Sequence, residues 1–234
     1  LEWDAEVHFD SKTIDATATY TVESSDDAER IILDIRELNI KSVKIDGVDA
    51  SYEIGEEMPF IGSPLSIDIS PETKEVSVEY TTQPGADAFL WVDGEDAFLF
   101  TQSQAILART WIPCQDSPGV RFTYNARVKV PSNTMALMSA ENPTQRNSEG
   151  VYDFKMTQPI PSYLMALAVG NVEFRSVGEH TGVYATPDLI DAAEYEFAEI
   201  SQDVYAWYNT ENPKVQYGIG KDGGFGWIIK KVLE

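Results

Sequence analysis

The chain is 234 residues long, 43% hydrophobic, and carries a formal charge of −22, so it is long enough and apolar enough to bury a real core. That acidity excludes nucleic acid and anionic membrane as partners, because both need Lys and Arg to neutralise phosphate. A single cysteine excludes an internal disulfide, and no apolar run approaches the ~20 residues of a membrane span.

Residues 13–23, TIDATATYTVE, alternate, with Ile14, Ala16, Ala18, Tyr20 and Val22 on one side, which predicts a half-buried strand. Ile31–Ile35 and Leu38–Ile45 follow; the second slips phase near Ser42, predicting a bulge before a turn at Asp46 and Gly47. Leu65, Ile67 and Ile69 alternate next, then Val76, Val78 and Tyr80. From Thr81 to Ala97 the pattern fails. Pro84, Gly85, Gly94 and clustered acids predict a long surface loop there, with Trp91 folded back on the core.

The stretch Phe98–Pro118, FLFTQSQAILARTWIPCQDSP, opens as a strand that points Gln102 and Gln104 to one side and Ser103 to the other. Two adjacent amides donate and accept together, as the amine and carbonyls of a peptide end require. On the pattern alone the pair fits a solvated strand face better. Arg109 and Asp116, seven apart across the Pro113 turn, read as a salt bridge that fixes the loop. Cys114 reads as a structural thiol.

Val120, Phe122, Tyr124, Ala126, Val128 and Val130 mark the clearest strand, with Arg121, Arg127 and Lys129 facing outward to pair with carboxylates of neighbouring strands. Thr134–Ser139, Val151–Met156, Tyr163–Val169 and Val172–Val177 complete a mainly β pattern of antiparallel strands, a multi-stranded β-sandwich or saddle. At Asp188 the period changes: Ile190, Ala193, Phe197, Ile200, Val204 and Trp207 recur every three or four residues, predicting one amphipathic helix. The expected organisation is a β domain over 1–185, the helix opening a second domain over 186–212, and an unassigned tail over 213–234. In that tail four lysines meet two acids, against the acidic trend of everything before it.

The segment TQSQAILARTWIPCQDSPGVRFTYNARVKVP resembles the signature of the amino-terminal domain of the zinc aminopeptidases that include aminopeptidase N and leukotriene A(4) hydrolase. The family pattern is a Q-x-E or Q-x-Q pair, an arginine, then P-C-x-D-x-P and a strand; here it falls on Gln102, Gln104, Arg109, Pro113, Cys114, Asp116 and Pro118. Glutamine at 104 resembles the leukotriene hydrolase branch. LDIRELNIKSVKIDG at 33–47 and PIPSYLMALAVGNVE at 159–173 agree in order and spacing.

This resemblance implies a β domain that packs over a catalytic cleft, with Gln102 and Gln104 as substrate-binding residues and Gln104 holding a peptide's free amino terminus. Zinc-assisted hydrolysis needs three protein ligands, an open position for water and a carboxylate base. In the family these come from H-E-x-x-H, with a G-x-M-E-N strand before it, and neither motif occurs in the sequence. His8 and His180 lack the partner spacing. The expectation is therefore no catalytic residue, no metal ligand and no cofactor in this chain. Zinc, peptide substrate and catalytic domain would belong to the parent polypeptide, in a cytoplasmic or a periplasmic or secreted setting. Gly218, Gly220 and Gly223 satisfy a G-x-G-x-x-G pattern, but no acid ~20 residues on can follow, so it reads as chance. The alternative is a stand-alone β-sandwich module that binds carbohydrate or protein.

Overall fold

The computed structural model describes residues 1–23, 25, 27–178 and 181–198. Its strands in chain order are β1 (Glu2–His8), β2 (Thr13–Thr21), β3 (Arg30–Ile35), β4 (Asn39–Ile45), β5 (Val48–Asp49), β6 (Tyr52–Ile54), β7 (Ser63–Asp68) and β8 (Glu75–Thr81). There follow β9 (Phe89–Val92), β10 (Phe98–Thr101), β11 (Arg121–Lys129), β12 (Met135–Met138), β13 (Val151–Pro161), β14 (Leu167–Gly170), β15 (Glu173–Ser176) and β16 (Gly182–Ala185). One α-helix, α1, begins at Ile190 and is described to residue 198.

The strands form a seven-stranded sheet ordered β13-β11-β1-β2-β8-β4-β5, a four-stranded sheet β12-β14-β10-β9, a three-stranded sheet β3-β7-β6 and the β15-β16 pair. Alternation explains the large sheet. Ala5, Ile14, Ala16, Val78, Tyr80, Tyr124, Val128 and Phe154 are buried on one face, and the residues between them meet water. The basic stripe behaves as its charge requires, Arg127 pairing with Asp153 at 2.8 Å and Lys129 with Glu6 at 2.9 Å. The buried faces of the three larger sheets share one core. A separate small cluster of Val177, Val183 and Ile190 joins β16 to the helix.

The mainly β architecture, the bulge and the turn agree with the sequence reading. Pairing of β4 with β8 shifts register between Ile40 and Ser42, and Asp46 and Gly47 both take positive φ, 49° and 80°, as a two-residue hairpin of this hand demands. Four details differ. β1 and β11 run parallel, Glu2 opposite Asn125, which the long intervening chain permits and a short hairpin would not. The expected loop at 81–97 contains β9, an edge strand too short to show alternation, although Trp91 does pack against the core and meets Phe9 edge-on at 5.4 Å. The segment from Tyr163 starts as a 3-10 turn over Ser162–Leu164 before β14. The helix starts at Ile190, after the Pro187–Leu189 turn. Helix positions Ile200, Val204 and Trp207, together with His180 and the tail, lie outside the described residues.

Candidate functional site

Gln102 and Gln104 are not on the strand. β10 ends at Thr101 because its partner β9 begins at Phe89; one more ladder bond, Gln102 N–H to the Ala88 carbonyl at 2.7 Å, closes the pairing. The chain then turns, with Leu107 N–H donating to the Ser103 carbonyl at 2.9 Å. The alternation persists without the strand, since both glutamines are exposed and Ser103 is buried. The Ser103 hydroxyl accepts from Trp111 Nε1 at 3.0 Å, so the turn is pinned from behind. Trp111 is fully buried, packs edge-on against Trp3 at 5.4 Å, and its carbonyl accepts the Tyr80 hydroxyl at 2.8 Å.

The amides are not equivalent. Gln102 Oε1 accepts the Gln104 backbone N–H at 3.2 Å, which uses one of that oxygen's two lone pairs, whereas the Gln104 side chain makes no such local bond among the described residues. The peptide bond between Gln104 and Ala105 is cis.

Behind the turn lies an ion-pair network. Arg109 and Asp116 are 5% and 4% exposed, so the pair is shielded on all sides. Arg109 Nε donates to Asp116 Oδ2 at 3.1 Å, Nη2 to the Asp116 carbonyl at 3.0 Å and Nη1 to the Ile61 carbonyl at 2.8 Å. The other carboxylate oxygen of Asp116 accepts the Ser162 hydroxyl at 2.5 Å. Asp34 Oδ2 lies 3.5 Å from Arg109 Nη2 and accepts the Asp116 N–H at 2.9 Å. The expected salt bridge is therefore present, with two partners that the spacing argument did not reach. Asp34 and Ser162 each lie in one of the two flanking stretches that carried the resemblance.

Cys114 completes the loop. It pairs by backbone with Asp34, whose N–H donates to the Cys114 carbonyl at 2.7 Å. Burial, and then the carboxylates of Asp116 and Asp34, push its thiol well above the ordinary range. A thiol held neutral is a poor nucleophile. The Tyr20 hydroxyl donates to the Pro113 carbonyl from the neighbouring sheet. His8 faces Asp15 at 3.1 Å across the β1–β2 pair. Among the described residues no group of three His, Cys, Asp or Glu is placed to hold a metal ion.

The structure thus has two exposed amides on a turn that a buried tryptophan pins to a multi-sheet core, with a buried Arg–Asp pair behind it. The chain belongs to the Peptidase M1 N-terminal domain family, whose model matches residues 1–164, and is an amino-terminal domain of the zinc aminopeptidase type. It is 40% identical over 210 residues to "Leukotriene A-4 hydrolase" of Xenopus laevis, covering 82% of this chain and 34% of that protein. "Leucine aminopeptidase 2" of Candida albicans is 34% identical over 195 residues, covering 82% and 31%. The fold matches native leukotriene A4 hydrolase from Saccharomyces cerevisiae with a TM-score of 0.80 at 24% identity, over 89% of this chain and 34% of that one. It also matches the M1 zinc metallopeptidase from Deinococcus radiodurans with a TM-score of 0.60 at 21% identity, over 78% and 45%. The chain thus spans about a third of the length of the two named relatives.

Proposed function

We propose that this domain serves a zinc aminopeptidase by lining its substrate cleft, with Gln102 and Gln104 gripping the amino-terminal end of a peptide. One observation carries this reading: both glutamines face outward from a turn whose intervening residue is bonded into the core. With its oxygen already engaged by Gln104 N–H, Gln102 would use its NH2 to donate to a substrate carbonyl. The Gln104 oxygen can accept from the substrate ammonium. Such contacts hold the scissile bond in one orientation, and orientation lowers a barrier only where a nucleophile is supplied.

The metal implied by the family finds no donor set among the described residues, so its ligands would be carried by a different part of the parent polypeptide, in a catalytic domain. The reading places that domain after residue 185. Residues Arg109, Pro113, Cys114, Asp116 and Pro118 are framework for the turn.

The test uses the full-length parent enzyme with aminoacyl amide substrates. Gln104→Ala should raise KM by roughly ten- to a hundredfold, as expected for a lost hydrogen bond to a charged group worth ~1.5–3 kcal/mol. Unchanged kinetics in Gln104→Ala and in Gln102→Ala would reject the assignment.

A further inference from the structure

We propose, resting on the cleft-lining role above, that Ser103 and Trp111 are a positioning pair: the hydrogen bond between them sets where Gln102 and Gln104 stand, and acts on substrate binding through those two side chains. Ser103 is 2% exposed and Trp111 is fully buried, so neither meets a substrate directly. What they do is fix the backbone between two groups that can.

The turn has few anchors between the end of β10 and Leu107, which packs against the core. Gln104 N–H closes on Gln102 Oε1, and the Ser103 carbonyl closes on Leu107 N–H, so both of these bonds stay inside the turn. Of residues 103–106, it is the Ser103 side chain whose hydrogen bond leaves the turn, reaching eight residues along to Trp111 Nε1 at 3.0 Å. Where the side chain of Ser103 is drawn inward, its two neighbours are turned out, as the exposed Gln102 and Gln104 are. Because Gln102 Oε1 also holds Gln104 N–H, the two amides move together when that residue moves.

The donor is itself held from several sides, which makes it a reference point. Its ring meets Trp3 of β1 edge-on at 5.4 Å and Phe89 of β9 at 6.3 Å. Its carbonyl accepts the hydroxyl of Tyr80 on β8 at 2.8 Å, and that hydroxyl accepts the Trp3 indole N–H at 2.9 Å. Three strands thereby register the indole, and the indole registers the turn. The bond also satisfies a buried indole N–H, as a core tryptophan requires. Were that its whole purpose, losing it would disturb folding and leave substrate binding alone, so the two roles separate in kinetics.

The test again uses the full-length parent enzyme with aminoacyl amides. Ser103→Ala should raise KM roughly five- to tenfold and leave kcat within about twofold, as for one lost hydrogen bond. Trp111→Phe removes the donor from the other end and should also raise KM; the two changes together should do no more than the larger of them, because they break one bond. Loss of folded enzyme lowers apparent kcat and leaves KM unmoved, so a variant that folds poorly still reports. In a chain already carrying Gln102→Ala and Gln104→Ala, Ser103→Ala should leave KM where it stands, whereas an effect that bypasses the glutamines would persist there. An unchanged KM in Ser103→Ala or in Trp111→Phe, a fall in kcat alone, multiplying effects of the two changes, or the same rise with and without the glutamines would each overturn the positioning role. Where Gln104→Ala by itself raises KM, those results reject the pair and spare the cleft reading; where neither glutamine change moves KM, both are rejected.

Discussion

At the level of single residues, the stability of the site rests on one buried ion pair with most of its bonding capacity met. Arg109 spends its guanidinium on Asp116, Asp34 and the Ile61 carbonyl, while Asp116 also takes the Ser162 hydroxyl. Breaking such a pair from one side leaves an uncompensated buried charge. Asp116→Ala should therefore cost ~3–5 kcal/mol in a urea titration, whereas the double change Arg109→Met with Asp116→Leu should recover much of that loss, because no charge is then stranded. A single change that costs under ~1 kcal/mol would show the pair to be solvated. The pair was legible in the sequence, since an arginine and an aspartate flank a proline turn in a short loop. Asp34 and Ser162 were not legible as its partners, because both are distant in sequence and reach the pair only once β3 and the end of β13 are in place. The Ser103–Trp111 bond was equally hidden. An indole eight residues past a buried serine gives no periodic signal, yet this bond ties the residue between the two glutamines to the core.

At the level of elements, the long strands with clean alternation were readable, and so was the bulge at Ser42, where a break in phase has one simple cause. β9 was not readable, because four consecutive apolar residues carry neither period. The end of β10 was misplaced for a different reason: strand length is set by the partner, and the sequence of β10 says nothing of where β9 starts. What joins these elements to the proline loop is a tyrosine. Tyr80 of β8 is fully buried, accepts the Trp3 indole N–H at 2.9 Å and donates its hydroxyl to the Trp111 carbonyl. Burial raises its pKa, and burial likewise raises that of Tyr124, whose hydroxyl meets Ser139 at 2.9 Å. In both, the folded pKa lies above the unfolded value near ~10. The native state therefore keeps protons that the unfolded chain gives up. Their stabilising effect is complete below about pH 10 and falls as pH rises from there toward the folded values, by ~1.4 kcal/mol per pH unit for each tyrosine. Urea midpoints between pH 8 and pH 11 should show that decline, and Tyr80→Phe should make it shallower by one proton. A midpoint independent of pH above 10 would mean these hydroxyls ionise freely in the native state.

At the level of the whole molecule, a strongly acidic surface coexists with an exposed apolar stretch beside the site. Leu90 and Val92 of β9 lie opposite Phe100 and Phe98 and share their face with Gln102; each is 44% exposed. In the functional reading this face is turned toward the catalytic domain, so the isolated 234-residue chain leaves it wet. Apolar contact and charge then oppose each other. Like charges on two copies carrying −22 apiece keep them apart at low ionic strength, and salt shortens that repulsion to ~3 Å at 1 M while leaving the apolar attraction intact. Sedimentation velocity should accordingly show a monomer at low salt and reversible association at high salt. Leu90→Ser with Val92→Ser should remain monomeric throughout, with its melting temperature little changed because β9 is an edge strand. Association that weakens with salt would point to pairing of charges and not to this apolar face. A chain that stays monomeric at every salt concentration would remove the argument that this face was shaped to be covered.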